Sequence, residues 1–206
     1  MNSSIISSTN TLLKLETDRL KLITLTPIHA ERVFVYYAHN RHHFKGSMPA
    51  YIPGFFSVIY HQALLKQQWQ QIQHGDILKL WIFKHTDREQ SRIIGDITFS
   101  NINKGIAMSC VVGYKMDKNH LGKGYMTEAL QRAIKYVFGT LKLHRIEANI
   151  MPTNIASARL VEKIGFQKEG FSPKYLKINN RWEDHSRYAI TVSYTHLTLP
   201  TNGCVG

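Results

Sequence analysis

Residues 119–130, Asn-His-Leu-Gly-Lys-Gly-Tyr-Met-Thr-Glu-Ala-Leu, constrain the fold more than any other stretch. Residues 110–116, just ahead of them, form an extended run rich in Val and Tyr. Behind them, Met126, Ala129, Leu130, Ala133, Ile134, Val137 and Phe138 recur at the spacing of one helical face and of no strand face. Strand, glycine loop and helix start together build an anion site. Gly122 and Gly124 let backbone approach a ligand closely, and the free N–H groups and dipole of the helix N-terminus favour a phosphate. A plain tight turn has the same pattern, so a second motif is needed to specify the ligand.

The 206-residue chain is 43% hydrophobic and 19% charged, enough for a sizeable core without staples. It holds no apolar run long enough for a spanning helix, and no membrane partner is expected. Cys110 and Cys204 make no disulfide framework; Cys110, in an apolar run, reads as a small buried hydrophobe in a reducing cytoplasm. The net charge of +12 predicts attraction to polyanions. The basic residues are scattered, without a zinc-finger or aromatic–basic signature, so direct nucleic-acid readout is not expected. The eleven His residues lack ligand spacing, and no metal is expected.

Alternation over residues 15–25 predicts a first strand. Thr26-Pro27 then starts a helix over 27–39. Residues 40–56 read as a loop whose aromatic and basic groups either face substrate or cover the core. A helix over 57–74 ends at Gly75, and strands follow over 78–84, 93–99, 106–116 and 144–150. The turn between the middle two is placed at 101–105. A helix over 154–164 closes with Gly165, and strands over 167–178 and 182–192 complete one mixed α/β domain. Residues 1–14 read as a flexible leader and 15–192 as the domain. Residues 193–206 carry no Asp, Glu, Lys or Arg, and VSYTHLTLPT resembles read-through at the ends of unrelated bacterial sequences. That segment reads as a non-native tail.

The second motif is Pro152-Thr-Asn154-Ile-Ala-Ser157-Ala-Arg-Leu-Val-Glu-Lys-Ile-Gly165-Phe166. It resembles the second cofactor motif of the GNAT N-acetyltransferase superfamily, most closely in its RimJ/RimL branch, which acetylates N-terminal amines of ribosomal proteins. Leu-Gly-Lys-Gly-Tyr-Met-Thr-Glu-Ala is similar to that superfamily's pyrophosphate loop, and Glu16-Thr-Asp-Arg-Leu20 to the branch's first strand. The resemblance spans about residues 15–192. It implies a single GNAT-like α/β domain: a central mixed, mostly antiparallel, twisted sheet flanked by helices, with a splayed strand pair forming the acetyl-CoA cleft. This sequence departs from the superfamily loop at Leu121 and Met126, and it has Val161 near the place of the usual acid tyrosine.

The resemblance implies direct transfer of acetyl from acetyl-CoA to an amine, with no metal. The backbone of Gly113, Tyr114 and Lys115 would hold the pantetheine arm and the oxyanion, and the N–H groups of Leu121, Gly122, Lys123, Gly124, Tyr125 and Met126 the pyrophosphate. Lys123 would add charge or stay solvated. Asn154 would bind near the sulfur, cap the next helix, or both. Ser157 would protonate the leaving thiolate, unless it only packs. Glu147 is the first candidate base and Asp96 the second; a water chain is a third route, because an α-amine titrates near pH 8. The expected acceptor is the N-terminal α-amine of a protein, plausibly ribosome-associated. A small amine (polyamine, amino acid or drug) and a non-enzymatic RNA- or ribosome-binding module are the alternatives. The enzyme is expected as a cytoplasmic monomer or homodimer.

Overall fold

The computed structural model describes residues 12–192. Most of the expected leader and the whole expected tail, residues 1–11 and 193–206, lie outside the described residues. Eight strands form one sheet: β1 (Lys14–Glu16), β2 (Leu20–Ile23), β3 (Leu78–Lys84), β4 (Gly95–Asn103), β5 (Ser109–Met116), β6 (Arg145–Ile150), β7 (Gln167–Ile178) and β8 (Arg181–Thr191). Their order is β1-β2-β3-β4-β5-β6-β8-β7. Every neighbouring pair is antiparallel except β5–β6.

The helices are α1 (Ala30–His39), α2 (Arg41–Phe44), α3 (Val58–His74), α4 (Tyr125–Gly139) and α5 (Ile155–Ile164). Their ends follow local chemistry. Ser57 Oγ accepts from the Tyr60 N–H at 3.2 Å to start α3, and Gly75 closes it at a φ of 85°. Strand alternation splits the core in two. Leu80, Ile82, Ile97 and Phe99 meet Leu130 and Ala133 of α4 on one face. On the other, Trp81 and Phe83 meet Val33, Tyr36 and Tyr37 of α1 and Leu65 of α3.

The structure corrects three expectations. Residues 15–25 are a hairpin of two strands, because Thr17 N–H bonds the Leu20 carbonyl at 3.0 Å and turns the chain without Gly or Pro. The turn expected at 101–105 lies later: Asn101, at a φ of 52°, makes an irregularity inside β4, which runs on to Asn103, and β5 starts only at Ser109. Asparagine tolerates the left-handed region, so it signals a bulge as well as a turn. Residues 40–56 hold the short helix α2, with Phe44 and Phe55 buried in the second core.

The β5–β6 pair positions the site. Its parallel register runs from Ser109↔Arg145 only to Val111↔Glu147. Beyond it, β5 stays paired to β4 as far as Met116 and β6 to β8 as far as Ile150. The two strands part there and open a cleft.

Candidate active site

The cleft's first wall is the glycine loop and the start of α4. Asp117, just past the end of β5, fixes the approach: its carboxylate accepts from the Asn119 N–H at 2.9 Å and from Asn40 Nδ2 at 3.0 Å, and bonds His120 Nδ1 at 2.9 Å. Burial alone would raise its pKa, but the hydrogen bonds from His120, Asn40 and Asn119 outweigh it and hold the carboxyl below the usual range. Gly122 and Gly124 both take left-handed φ values, 71° and 75°. Gly124 is the N-cap of α4, so the unpaired N–H groups of that helix's first turn face the cleft entrance.

A brace from the β1–β2 turn holds this loop. Glu128, in the first turn of α4, accepts from Thr17 Oγ1 at 2.6 Å, from the Arg19 N–H at 3.0 Å and from Arg19 Nε at 2.6 Å. The Arg19 guanidinium also donates to the Lys123 carbonyl at 3.1 Å and lies 4.7 Å over the Tyr125 ring. Here the Glu16-Thr-Asp-Arg-Leu20 signature has a physical role: it carries the brace.

The second wall is α5. Asn154 caps it, its Oδ1 accepting from the Ser157 N–H at 3.2 Å. Ser157 Oγ lies 2.6 Å from the hydroxyl of Tyr114, which reaches across from β5. Burial pushes the Tyr114 phenol up to about 12, with the Ser157 hydrogen bond opposing in part. Between the walls lies a cavity of about 750 Å³.

The structure brings most of the expected residues to this cavity: Tyr114, Lys115, Leu121, Gly122, Gly124, Tyr125, Met126, Asn154 and Ser157 line it. Met126, on the buried face of α4, is 7% exposed. Gly113, Lys123 and Glu147 do not line it. Lys123 Nζ folds back to the Asn119 carbonyl at 2.8 Å. Glu147 accepts from Arg145 Nε at 2.8 Å, and Arg145 is also paired with Glu169. The carboxylate of the first-choice base is therefore ion-paired with a guanidinium and does not line this cavity. Asp96 is fully buried, ion-paired with Lys79 and bonded by the Tyr36 hydroxyl at 3.1 Å. It stands behind Lys115, 3.8 Å from that ammonium. Burial would raise its pKa, but Lys115 and Lys79 hold it low, so it remains a charged structural anion.

Two features escaped the sequence reading, and a third was left open by it. The Tyr114 hydroxyl was not assigned a part, although i, i+2 alternation places Tyr114 on one strand face with Val112 and Met116. His43, Gly46 and Ser47 line the cavity, so of the two roles left open for the 40–56 segment each holds in part: some of it faces the site and some covers the core. No Asp or Glu lines the cavity among the described residues. No group of three or more metal-ligating side chains is found among them either, and none of their helices is long and apolar enough to cross a membrane.

Residues 19–167 match the family described as the acetyltransferase (GNAT) domain. The chain belongs to the GNAT acetyltransferase family. Among its relatives, the ribosomal protein uS5-alanine N-acetyltransferase of Escherichia coli is 36% identical over 178 residues, covering 86% of this chain and 90% of that one. The ribosomal-protein-S5-alanine acetyltransferase of Vibrio fischeri superposes with a TM-score of 0.81 at 30% identity, covering 87% of this chain and 96% of the other. Mycobacterium smegmatis RimJ, solved with a CoA-disulfide, shares the fold with a TM-score of 0.79 at 24% identity, over 91% and 89% of the two chains. This GNAT protein is an N-acetyltransferase, and its eight-stranded mixed sheet is the fold of that family.

Proposed function

We propose that this enzyme transfers acetyl from acetyl-CoA to the N-terminal α-amine of a protein, with a ribosomal protein as the acceptor. The observation that carries the choice of acceptor is the likeness to known relatives rather than the cavity, whose lining of Lys115, His43 and His120 without a carboxylate among the described residues suits the polyanionic donor. The two uS5-alanine acetyltransferases, alike over nearly the whole domain, support a protein acceptor.

The residues present fit acetyl-CoA. The left-handed glycines and the N-terminus of α4 suit the pyrophosphate, which would lie on the N–H groups of residues 121–126. Past Val111, β5 has no β6 partner on that edge, so the backbone of Gly113, Tyr114 and Lys115 is free to pair with the pantetheine amides and to donate to the oxyanion. Lys123, tied to Asn119, contributes through its backbone. Asn154 holds Ser157 at the second wall, and Ser157 donates the proton to the leaving thiolate. The acceptor nitrogen gives up its proton to cavity water. An α-amine needs no strong base for this, since it titrates near pH 8.

The test offers purified enzyme and acetyl-CoA a set of ribosomal-protein N-terminal peptides. Each is supplied with a free α-amine, and again with that amine blocked and a lysine side chain free. Spermidine is the small-amine control. Acetylation confined to free α-amines is expected. Turnover of spermidine alone would reverse the acceptor assignment, and no release of CoA thiol with any acceptor would remove it.

A further inference from the structure

In this chain α5 offers no phenol at the place of the family's usual acid tyrosine: Val161 stands near it and is fully buried. A phenol reaches the site from the opposite wall instead. The Tyr114 hydroxyl lies 2.6 Å from Ser157 Oγ and 3.3 Å from the Ser157 carbonyl oxygen. Among the described residues these are its hydrogen-bond partners, and the ring packs against the larger core. We infer that Tyr114 is a positioning residue for proton donation, its hydroxyl donating to Ser157 Oγ so that the single proton of Ser157 is aimed at the departing sulfur. This rests on the reading of Ser157 as the donor.

The chemistry favours this polarity. A phenol is a better donor and a poorer acceptor than an aliphatic alcohol, so its one proton goes to the nearer oxygen, Ser157 Oγ at 2.6 Å, with the Ser157 carbonyl at 3.3 Å as the weaker arm of a shared bond. Burial keeps Tyr114 protonated at neutral pH, which makes it a permanent donor. With its oxygen accepting from Tyr114, Ser157 keeps its own O–H free to point into the cavity both residues line. When the acceptor nitrogen attacks the thioester carbonyl, the C–S bond breaks and its electron pair stays on sulfur. The Ser157 proton moves to that sulfur, and the Tyr114 hydrogen bond stabilises the oxygen left behind. The proton shed by the nitrogen, carried by cavity water, restores Ser157. Tyr114 keeps its own proton throughout. Strand and helix are thereby coupled at the point where β5 and β6 part.

A double-mutant cycle on the full-length enzyme tests this, with Tyr114→Phe, Ser157→Ala and the pair together. Phe keeps the ring and its packing, and melting temperature and the thermal shift with acetyl-CoA check that each variant folds and binds donor. Tyr114→Phe is expected to lower kcat roughly tenfold, the loss of one positioned hydrogen bond, with KM for acetyl-CoA unchanged. The double variant should be no slower than Ser157→Ala, because Tyr114 acts only through Ser157. Wild-type kcat in Tyr114→Phe, or losses that multiply in the double variant, would overturn the inference while leaving the acetyltransferase reading intact. Wild-type kcat in Ser157→Ala would remove the donor role on which both rest.

Discussion

His61 sits wholly buried in the second core, stacked on Tyr37 with ring centroids 5.3 Å apart and planes 3° from parallel. Neither ring nitrogen has a hydrogen-bond partner among the described residues. Burial pushes its pKa down to about 4, and the nearby Phe55 backbone offsets this only in part. The unfolded chain therefore takes up a proton near pH 6.5 that the folded protein refuses until about pH 4. Stability is full above that upper value and falls as the pH drops through the interval. His61→Leu should flatten this part of the curve: its melting temperature should fall less than the wild type's between pH 6.5 and 4 in a calorimetric series. In the cleft, Ser157→Ala should lower kcat about 100-fold or more, within the range of general-acid contributions, with little change in KM for acetyl-CoA. Steady-state assays following CoA thiol release give both constants. The sequence offered Ser157 as the donor, through its family resemblance, but neither its Tyr114 partner nor the setting of His61. Periodicity places His61 in a helix without showing that its partners are aromatic rings, and nothing in the chain order puts Tyr114 beside Ser157.

The α4 N-terminus depends on the hairpin that braces it. Glu128 collects hydrogen bonds from Thr17 and Arg19, more than a hundred positions earlier. Burial would raise the pKa of Glu128, but Thr17 and Arg19 hold it below the usual carboxylate range, so the brace is present at neutral pH and is lost only as the pH falls through that lowered value. Glu128→Ala is expected to cost about 1–3 kcal/mol of stability by chemical denaturation. It should also weaken acetyl-CoA binding in calorimetric titration, because the loop from Gly122 loses its support. Gly122→Ala separates the two effects: it keeps the brace but puts a Cβ on a residue at a φ of 71°. A stability loss of about 1 kcal/mol is expected, together with a reduced thermal shift with acetyl-CoA. The longer helices were readable because 3.6-residue periodicity and glycine C-caps are local signals, as in α3 and α5. The β1–β2 hairpin was not, since its turn is made by Thr17 and Arg19 rather than by Gly or Pro.

Over the whole molecule, a net charge of +12 surrounds a site that fits a polyanionic co-substrate and, in the proposed function, an acceptor from an RNA-rich particle. Salt should act on encounter more than on chemistry. Raising ionic strength from low salt to about 0.5 M is expected to raise KM for acetyl-CoA severalfold and to change kcat less. The charge is useful only because tertiary structure keeps carboxylates out of the cleft. Glu147 is turned to Arg145, Asp96 is buried behind Lys115, and Glu128 is spent on the brace.

The chain's own order settles the longer helices and most strands, the glycine loop, the Asn154–Ser157 cap and the family, because each is written in spacings of a few residues. The partnerships across the cleft are another matter. The parting of β5 from β6, the Tyr114–Ser157 bond, the Arg19–Glu128 brace and the withdrawal of Glu147 all join positions distant in sequence. A side chain's partner there is set by which face it takes in a packed sheet, and that is decided when the two cores close around it.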